Sequence, residues 1–341
     1  MIDLRSDVCA PPTEAMWEAM RTAPLGWASG GDDPTVALLE ERGAALLAAE
    51  AALWLPSCTM ANIAALLVLT RPGERVIAEA AAHILVNEGD GLSLLARLEP
   101  EPLAAADGRL GRAQLAEALS GTRASLVCLE NSHTRAGGTV LDAAATEALA
   151  GAAHEAGARL HLDGARLANA AVALGVPLSA LAAPADTVSF SLNKALGAPV
   201  GALLAGERAT VAAARRVSRR LGGATLHKAG MLAAAGLVAL DEMGPRLAAD
   251  HRRARLLAQA LRRLGVVLEP DVVETNIVTL VPAAPVEAAL AQLAGSGVLA
   301  LSLDGRRLRL VTHAGFDDEA IEPVAAAVAA AAAAPQVEVA R

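Results

Sequence analysis

The sequence predicts an α/β fold: a large, mainly parallel sheet covered by helices, with a smaller α+β part behind it. Short apolar runs alternate with helix-patterned stretches from about residue 50 to 205, which is the pattern of strands joined by crossover helices. After about 245 the texture changes, with short strands interleaved among helices. The 341 residues also exceed what one core usually fills, roughly 250 to 300 residues, so two units are expected. The division reads as an arm over 1–12, a large α/β domain over 13–245 and a small α+β domain over 246–341.

Residues 1–12 read as an extended arm. Pro12-Thr13-Glu14 marks a helix start, and Gly26 to Pro34 is a loop. Thr35 begins an amphipathic helix through Val36, Leu38, Leu39, Ala44, Leu46 and Leu47 that ends near Glu50. The strand Ala51 to Leu55 then runs into Ser57-Cys58-Thr59-Met60-Ala61-Asn62, which opens a helix to Leu69. Hydroxyl side chains and free backbone N–H groups at a helix start can cradle a phosphate, although Ser and Thr also cap helices that bind nothing.

Arg75 to Ala78 is the next strand, and His83 follows it. Ala124 to Leu129 is a buried-type strand running into Glu130-Asn131-Ser132-His133, and Gly137-Gly138 turns the chain. A helix near 143–156 leads to Arg159-Leu160-His161-Leu162-Asp163-Gly164-Ala165-Arg166. This puts an aspartate at the end of a strand, where open α/β sheets bind their ligands. Thr187 to Ser191 is a further strand, with Lys194 just beyond it. Arg208 to Gly230 is basic and broken by glycine. Helices are expected over 231–243, 248–264, 285–294 and 318–333, the last ended by Pro335, and strands near 266–267, 277–280 and 308–311.

Composition excludes several classes. A net charge of -8 with scattered basic residues argues against a nucleic-acid partner. Cys9, Cys58 and Cys128 lack paired or metal-like spacing, and the first seven residues lack an apolar signal, so a reducing cytoplasm is expected and no metal is. The alanine run 324–334 is too short to span a bilayer. Small molecules and sister subunits remain as partners.

The lysines narrow the chemistry. Of 29 basic residues only Lys194 and Lys228 are lysine. Arginine serves ion pairs as well or better, but it stays protonated, whereas a desolvated lysine can attack a carbonyl. Lys194, with its apolar flanks, is therefore the candidate for covalent chemistry. A lysine, an acid, a helix N-terminus and a histidine on successive loops are the parts that pyridoxal phosphate asks for. With no tyrosine in the chain, His83 is the choice for a group against the cofactor ring.

Asp3-Leu4-Arg5-Ser6-Asp7, Asp33-Pro34-Thr35, Pro56 to Asn62, Glu130 to His133 with Gly137-Gly138, His161 to Arg166, Asn193 to Gly201 and Arg309 to His313 together resemble the low-specificity L-threonine aldolases. These belong to the fold-type-I pyridoxal phosphate enzymes, aspartate aminotransferase-like in fold, within the β-eliminating lyase group. The resemblance spans almost the whole chain in order. It implies that Lys194 holds pyridoxal 5'-phosphate, that Asp163 pairs with its ring nitrogen, and that His83 lies over the ring as the candidate proton acceptor. It also implies a phosphate cradle of Ser57, Cys58 and Thr59, a substrate carboxylate held by Ser6, Arg166 and Arg309, and a homodimer or homotetramer.

The implied reaction is retro-aldol cleavage of a β-hydroxy-α-amino acid, of the L-threonine or L-allo-threonine class, to glycine and an aldehyde. The alternatives are β-elimination or dehydration on the same cofactor, or pyridoxal phosphate binding without turnover. Departures from the family pattern gather around the pocket: Cys58 in place of glycine, Gly30 of tyrosine, Asn87 of an aromatic and Asn193 of serine. Residues 221–230 replace a glycine-rich segment with an arginine, leaving His227 or Lys228 to supply that charge.

Overall fold

The computed structural model describes residues 1–121, 124–223 and 226–333. The arm begins with β1 (Ile2–Asp3) and buries Leu4 and Asp7 completely. Seven strands make the large sheet: β2 (Ala51–Leu55), β3 (Arg75–Glu79), β4 (Glu99–Leu103), β5 (Ala124–Glu130), β6 (Arg159–Gly164), β7 (Thr187–Ser191) and β8 (Ala202–Gly206). Their order is β2-β8-β7-β6-β5-β3-β4. The pairings among β4, β3, β5, β6 and β7 are parallel, and β8 alone runs against its neighbours β7 and β2. The carboxyl ends of β2, β3, β5, β6 and β7 therefore share one edge.

Two of these strands were not expected. β4 reads Glu-Pro-Glu-Pro-Leu, and proline cannot donate to a ladder, which hides the strand in the sequence and confines it to the sheet's edge. β8 is Ala-Leu-Leu-Ala-Gly, which lacks the β-branched and aromatic residues that mark a strand.

The segment 208–220 is a helix rather than merely a basic, broken stretch. The two helices expected around Pro245 are one, Gly230–Arg263, with that proline inside it. Proline removes one backbone donor, but the helix packs along Glu14–Thr22 and Pro34–Leu46 and then along Ile321–Ala332, and this tertiary packing outweighs the break. The strand expected at 266–267 is absent: Val267 is exposed, and pairing is limited to a single bridge between Leu268 and Leu280.

β9 (Ile277–Leu280), β10 (Val298–Leu299), β11 (Leu301–Ser302) and β12 (Leu308–Val311) complete the strands. β9, β12 and β11 form an antiparallel sheet, while β10 pairs with β1, so the arm is woven into the C-terminal part. The main core runs from Met16 to Leu247; a separate core joins Leu4 to residues from Ala254 to Ala332. The helix-ending role expected of Pro335 lies outside the described residues. Among those residues no helix is long and apolar enough to cross a membrane.

Candidate active site

The sheet register assembles the site. Glu130 lies opposite Asp163, and Asp163 opposite Ser189, so three polar side chains stand level at the carboxyl ends of β5, β6 and β7. All three are buried. Lys194 follows β7 in a turn closed by the Gly197 N–H donating to the Lys194 carbonyl, 2.8 Å. Gly197 has φ +76°, and any Cβ there would strike the Arg246 guanidinium, so this turn requires glycine. Arg246 Nη1 donates to the Leu196 carbonyl, 3.1 Å. The Lys194 amine has no hydrogen-bond or ion-pair partner among the described residues.

The Asp163 carboxylate accepts from the Ala165 N–H at 3.0 Å and from Asn62 Nδ2 at 2.9 Å, and the Ser189 hydroxyl lies 3.5 Å away. Burial alone would raise its pKa; the positive charge of Lys194 and then of His83, with the Ala165 N–H, holds it below the ordinary value. It is thus an ionised acid in a dry place. Cys58 Sγ stands 4.0 Å from the same carboxylate, and burial and that charge push its thiol up to about 12. Cys58 is therefore a neutral thiol here, not a nucleophile.

Helix Cys58–Leu69 begins where β2 ends. The Ser57 hydroxyl accepts from the Met60 N–H, 3.1 Å, and so is spent on the cap. The N–H groups of Cys58 and Thr59 in the first turn stay available for an anion.

His83 opens the short helix His83–Val86, and its backbone N–H donates to Glu130 Oε2, 2.7 Å. Its Nδ1 is 3.1 Å from Glu88 Oε1, a side chain almost completely buried. Ligand atoms of His83, Glu88 and Asp163 all lie within 4.8 Å of one another, but Asn62 Nδ2 donates to both carboxylates, at 2.8 Å to Glu88 and 2.9 Å to Asp163. An amide, not a cation, bridges the two acids.

The expected carboxylate binders divide. Arg166 is buried and committed: its Nε and Nη2 grip Asp7 at 2.8 and 2.6 Å, and its Nη1 donates to the Thr134 hydroxyl at 2.8 Å. Burial would raise the Asp7 carboxyl, but the Arg166 charge wins and lowers it. Arg309, by contrast, donates only to the Arg5 carbonyl at 2.9 Å, and its Nε is buried without a partner. Burial, then the nearby Arg166 charge, lowers it to about 10. It remains protonated at neutral pH, an uncommitted guanidinium. The Ser6 hydroxyl is within 3.3 Å of Asp7.

Several departures from the family pattern have visible consequences. A Cβ at Gly30 would collide with the Trp27 indole, which takes the space. His227 Nδ1 is bound to the Ser29 hydroxyl, 2.7 Å, tying 226–228 to the 28–30 turn. Lys228 is exposed with no described partner. Asn87 is exposed too, and the Ser191 hydroxyl donates to Asn193 Oδ1, 2.9 Å. Residues 224–225, inside the altered segment, lie outside the described residues. Asp33-Pro34-Thr35 proves to be a helix start: Asp33 caps it by accepting from Thr35 and Val36, with Pro34 at the first position.

Sequence reasoning gave no role to Asn62, Glu88, His161 or Asp7. The signal that could have found Asn62 is its being a lone amide in an apolar helical run, since such a group must find partners. Asp7 and Glu88 offered no comparable sign.

A buried acid facing a free lysine at the carboxyl edge of a mainly parallel sheet, with an open helix N-terminus and a spare guanidinium, defines the class of pyridoxal-phosphate-dependent enzymes, and the residues present fit that cofactor. The sequence profile of the Beta-eliminating lyase family matches residues 3–285, and the chain belongs to that family. It is 37% identical to low-specificity L-threonine aldolase 1 of Arabidopsis thaliana over 326 residues, covering 92% of this chain and 91% of that one. It is 38% identical to the low specificity L-threonine aldolase of Escherichia coli over 333 residues, covering 96% and 98%. The fold superimposes on the Leishmania major threonine aldolase with a TM-score of 0.82 at 20% identity, covering 98% of this chain and all of that one.

Proposed function

We propose that this protein is a carbon–carbon lyase that cleaves a β-hydroxy-α-amino acid, of the L-threonine or L-allo-threonine class, to glycine and an aldehyde. The observation that carries the reading is the unpartnered Lys194 amine facing the buried, ionised Asp163; the similarity to the plant and bacterial aldolases supports the substrate class. Bound pyridoxal phosphate supplies an electron sink for the breaking Cα–Cβ bond. Lys194 would hold the cofactor covalently, and Asp163 would keep its ring nitrogen protonated. The N–H groups of Cys58 and Thr59, with the Thr59 hydroxyl, hold its phosphate. Arg309, with Ser6, holds the substrate carboxylate; Arg166 contributes through its bonds to Asp7 and Thr134. His83, directly or through a water, takes the proton of the β-hydroxyl as that oxygen becomes the aldehyde carbonyl, and a proton returned to Cα completes glycine.

A division close to 245/246 is supported by two cores, one reaching Leu247 and the other running from Ala254 with Leu4, with the helix Gly230–Arg263 passing between them. The free cysteines Cys9, Cys58 and Cys128 support a reducing, cytoplasmic setting. A homodimer or homotetramer is carried over as the assembly that the family resemblance implies.

The deciding experiment incubates the cofactor-loaded protein separately with L-threonine and L-allo-threonine and follows glycine and acetaldehyde together. Equal amounts of both are expected. Ammonia with a keto acid would replace this reading by elimination, and an intact cofactor spectrum without any product would leave a binding protein.

A further inference from the structure

The buried interior of helix 58–69 is apolar, Ala61, Ile63, Ala64, Ala65 and Leu66, and Asn62 interrupts it with a fully buried amide. An amide buried without partners forfeits the hydrogen bonds it makes to water. Asn62 avoids that loss by using both ends. Its Nδ2 donates to Asp163 Oδ2 and Glu88 Oε1, and its Oδ1 faces His161 Nε2 at 3.0 Å.

The orientation is forced, because the reversed amide would set its oxygen against two carboxylates. His161 is fully buried, which pushes its pKa down to about 4, so at neutral pH its ring carries one proton. That proton must sit on Nε2, since Asn62 Oδ1 can only accept; Nδ1 then accepts from the Thr187 hydroxyl, 2.8 Å. Thr187, His161 and Asn62 thus form a keyed chain ending on two acids. Glu88 Oε1 accepts in addition from His83 Nδ1. With the Nδ1 proton held there, the lone pair of a neutral His83 ring lies on Nε2.

We propose that Asn62 is a positioning residue that assigns two neighbouring carboxylates to separate tasks, Asp163 to the cofactor's ring nitrogen and Glu88 to the His83 Nδ1 proton. The inference rests on the aldolase reading only for naming the proton that His83 Nε2 receives. Two acids this close, with no donor between them, would share a proton, and either task would then fail in part of the molecules. A lysine or arginine would bridge them but add a charge that competes for Asp163. A serine has one donor for two acceptors. The neutral amide, with two N–H groups on one nitrogen, meets both demands.

The test uses the pyridoxal-phosphate-loaded protein, labelled with 15N in its histidines, at pH 8. Long-range 1H–15N correlation reads the tautomer of His83, assigned by the signal lost in His83→Gln. The unaltered protein and Glu88→Gln, whose Oε1 still accepts, should show the Nδ1–H form. Asn62→Ala and Glu88→Leu should convert the greater part to Nε2–H. In Asn62→Ala the cofactor dissociation constant should also rise about tenfold, the size expected for one lost charge-assisted hydrogen bond, with Asn62→Ser between.

Asn62→Ala with an unchanged His83 tautomer and unchanged cofactor affinity would overturn the proposal, even if its thermal stability fell; if that variant does not fold, Asn62→Ser decides by the same two readouts. Neither readout needs turnover. Absence of glycine from the unaltered enzyme would therefore remove the aldol reading and leave the positioning role to be decided here.

Discussion

Asp163 and Asp250 are both buried acids near the turn that carries Lys194, and the chain treats them in opposite ways. Asp163, on the sheet side, accepts from a backbone N–H and from Asn62 and faces Lys194. Asp250, on helix 230–263, is fully buried, and neither of its carboxylate oxygens accepts a hydrogen bond among the described residues. Arg253 Nη1 stands 3.7 Å from it, too far to bond, and Arg246 one turn earlier donates instead to the Leu196 carbonyl. Burial dominates at Asp250 and lifts its pKa to about 7 against the pull of Arg246 and Arg253. Equal burial therefore does not give equal charge. At Asp163 the charges of Lys194 and His83 and a backbone donor outweigh burial; at Asp250 two arginines that make no hydrogen bond to it do not.

The contrast is broken most severely by removing the cation that Asp163 faces. Lys194→Ala should abolish turnover and the borohydride-reducible bond between protein and cofactor, read by mass of the reduced adduct; an adduct persisting on Lys228 would reassign the lysine. Asp163→Asn keeps the shape and the Asn62 contact while removing the charge. Turnover should fall by about 100-fold or more, as for loss of a preorganised electrostatic partner, in a protein that still folds. Near-normal rates would mean that the ring nitrogen has another partner.

Arginines sharpen the same lesson. Arg166 is neutralised by a two-point grip on Asp7, whereas Arg309 has no acid of its own among the described residues. Arg309→Leu should raise KM by about 10- to 100-fold with a smaller effect on kcat, the range for a lost charged hydrogen bond in a sheltered site. Steady-state kinetics on L-threonine would show it. An unchanged KM would place the substrate carboxylate elsewhere.

How much of this was legible in the sequence follows from the range of each interaction. Strands β2, β3 and β5 announce themselves through short apolar runs, and β6 and β7 through alternating apolar residues set between helix-patterned stretches. β4 and β8 do not, because proline and alanine carry no strand signal, and the pairing that makes them strands is nonlocal. Lys194 stood out by scarcity and Asp163 by its place at a strand end. The Asp7–Arg166 pair joins positions 159 residues apart, and Asn62 meets Asp163 across 101, so spacing along the chain could not reveal either. Nothing near Glu88 in the sequence marks it as buried, because what covers it is brought there by the fold.

The smallest expected effect concerns Asp250, and it has a definite sign in pH. A carboxyl whose pKa is raised in the folded state holds its proton there after the unfolded chain has released it. The folded state therefore binds more protons between the ordinary value of 3.8 and about 7, and stability falls as pH rises through that window. The full interval corresponds to at most roughly 4 kcal/mol, reduced by whatever water reaches the site. Asp250→Asn removes the titration and keeps the volume. Thermal melts of the variant should gain on the unaltered protein by a few degrees at pH 8 and by little or nothing at pH 4.5, because only the higher pH leaves a charge buried without a donor. A loss of stability at both pH values would show instead that Arg246 and Arg253 need the Asp250 charge more than burial opposes it, and the contrast with Asp163 would then be one of degree.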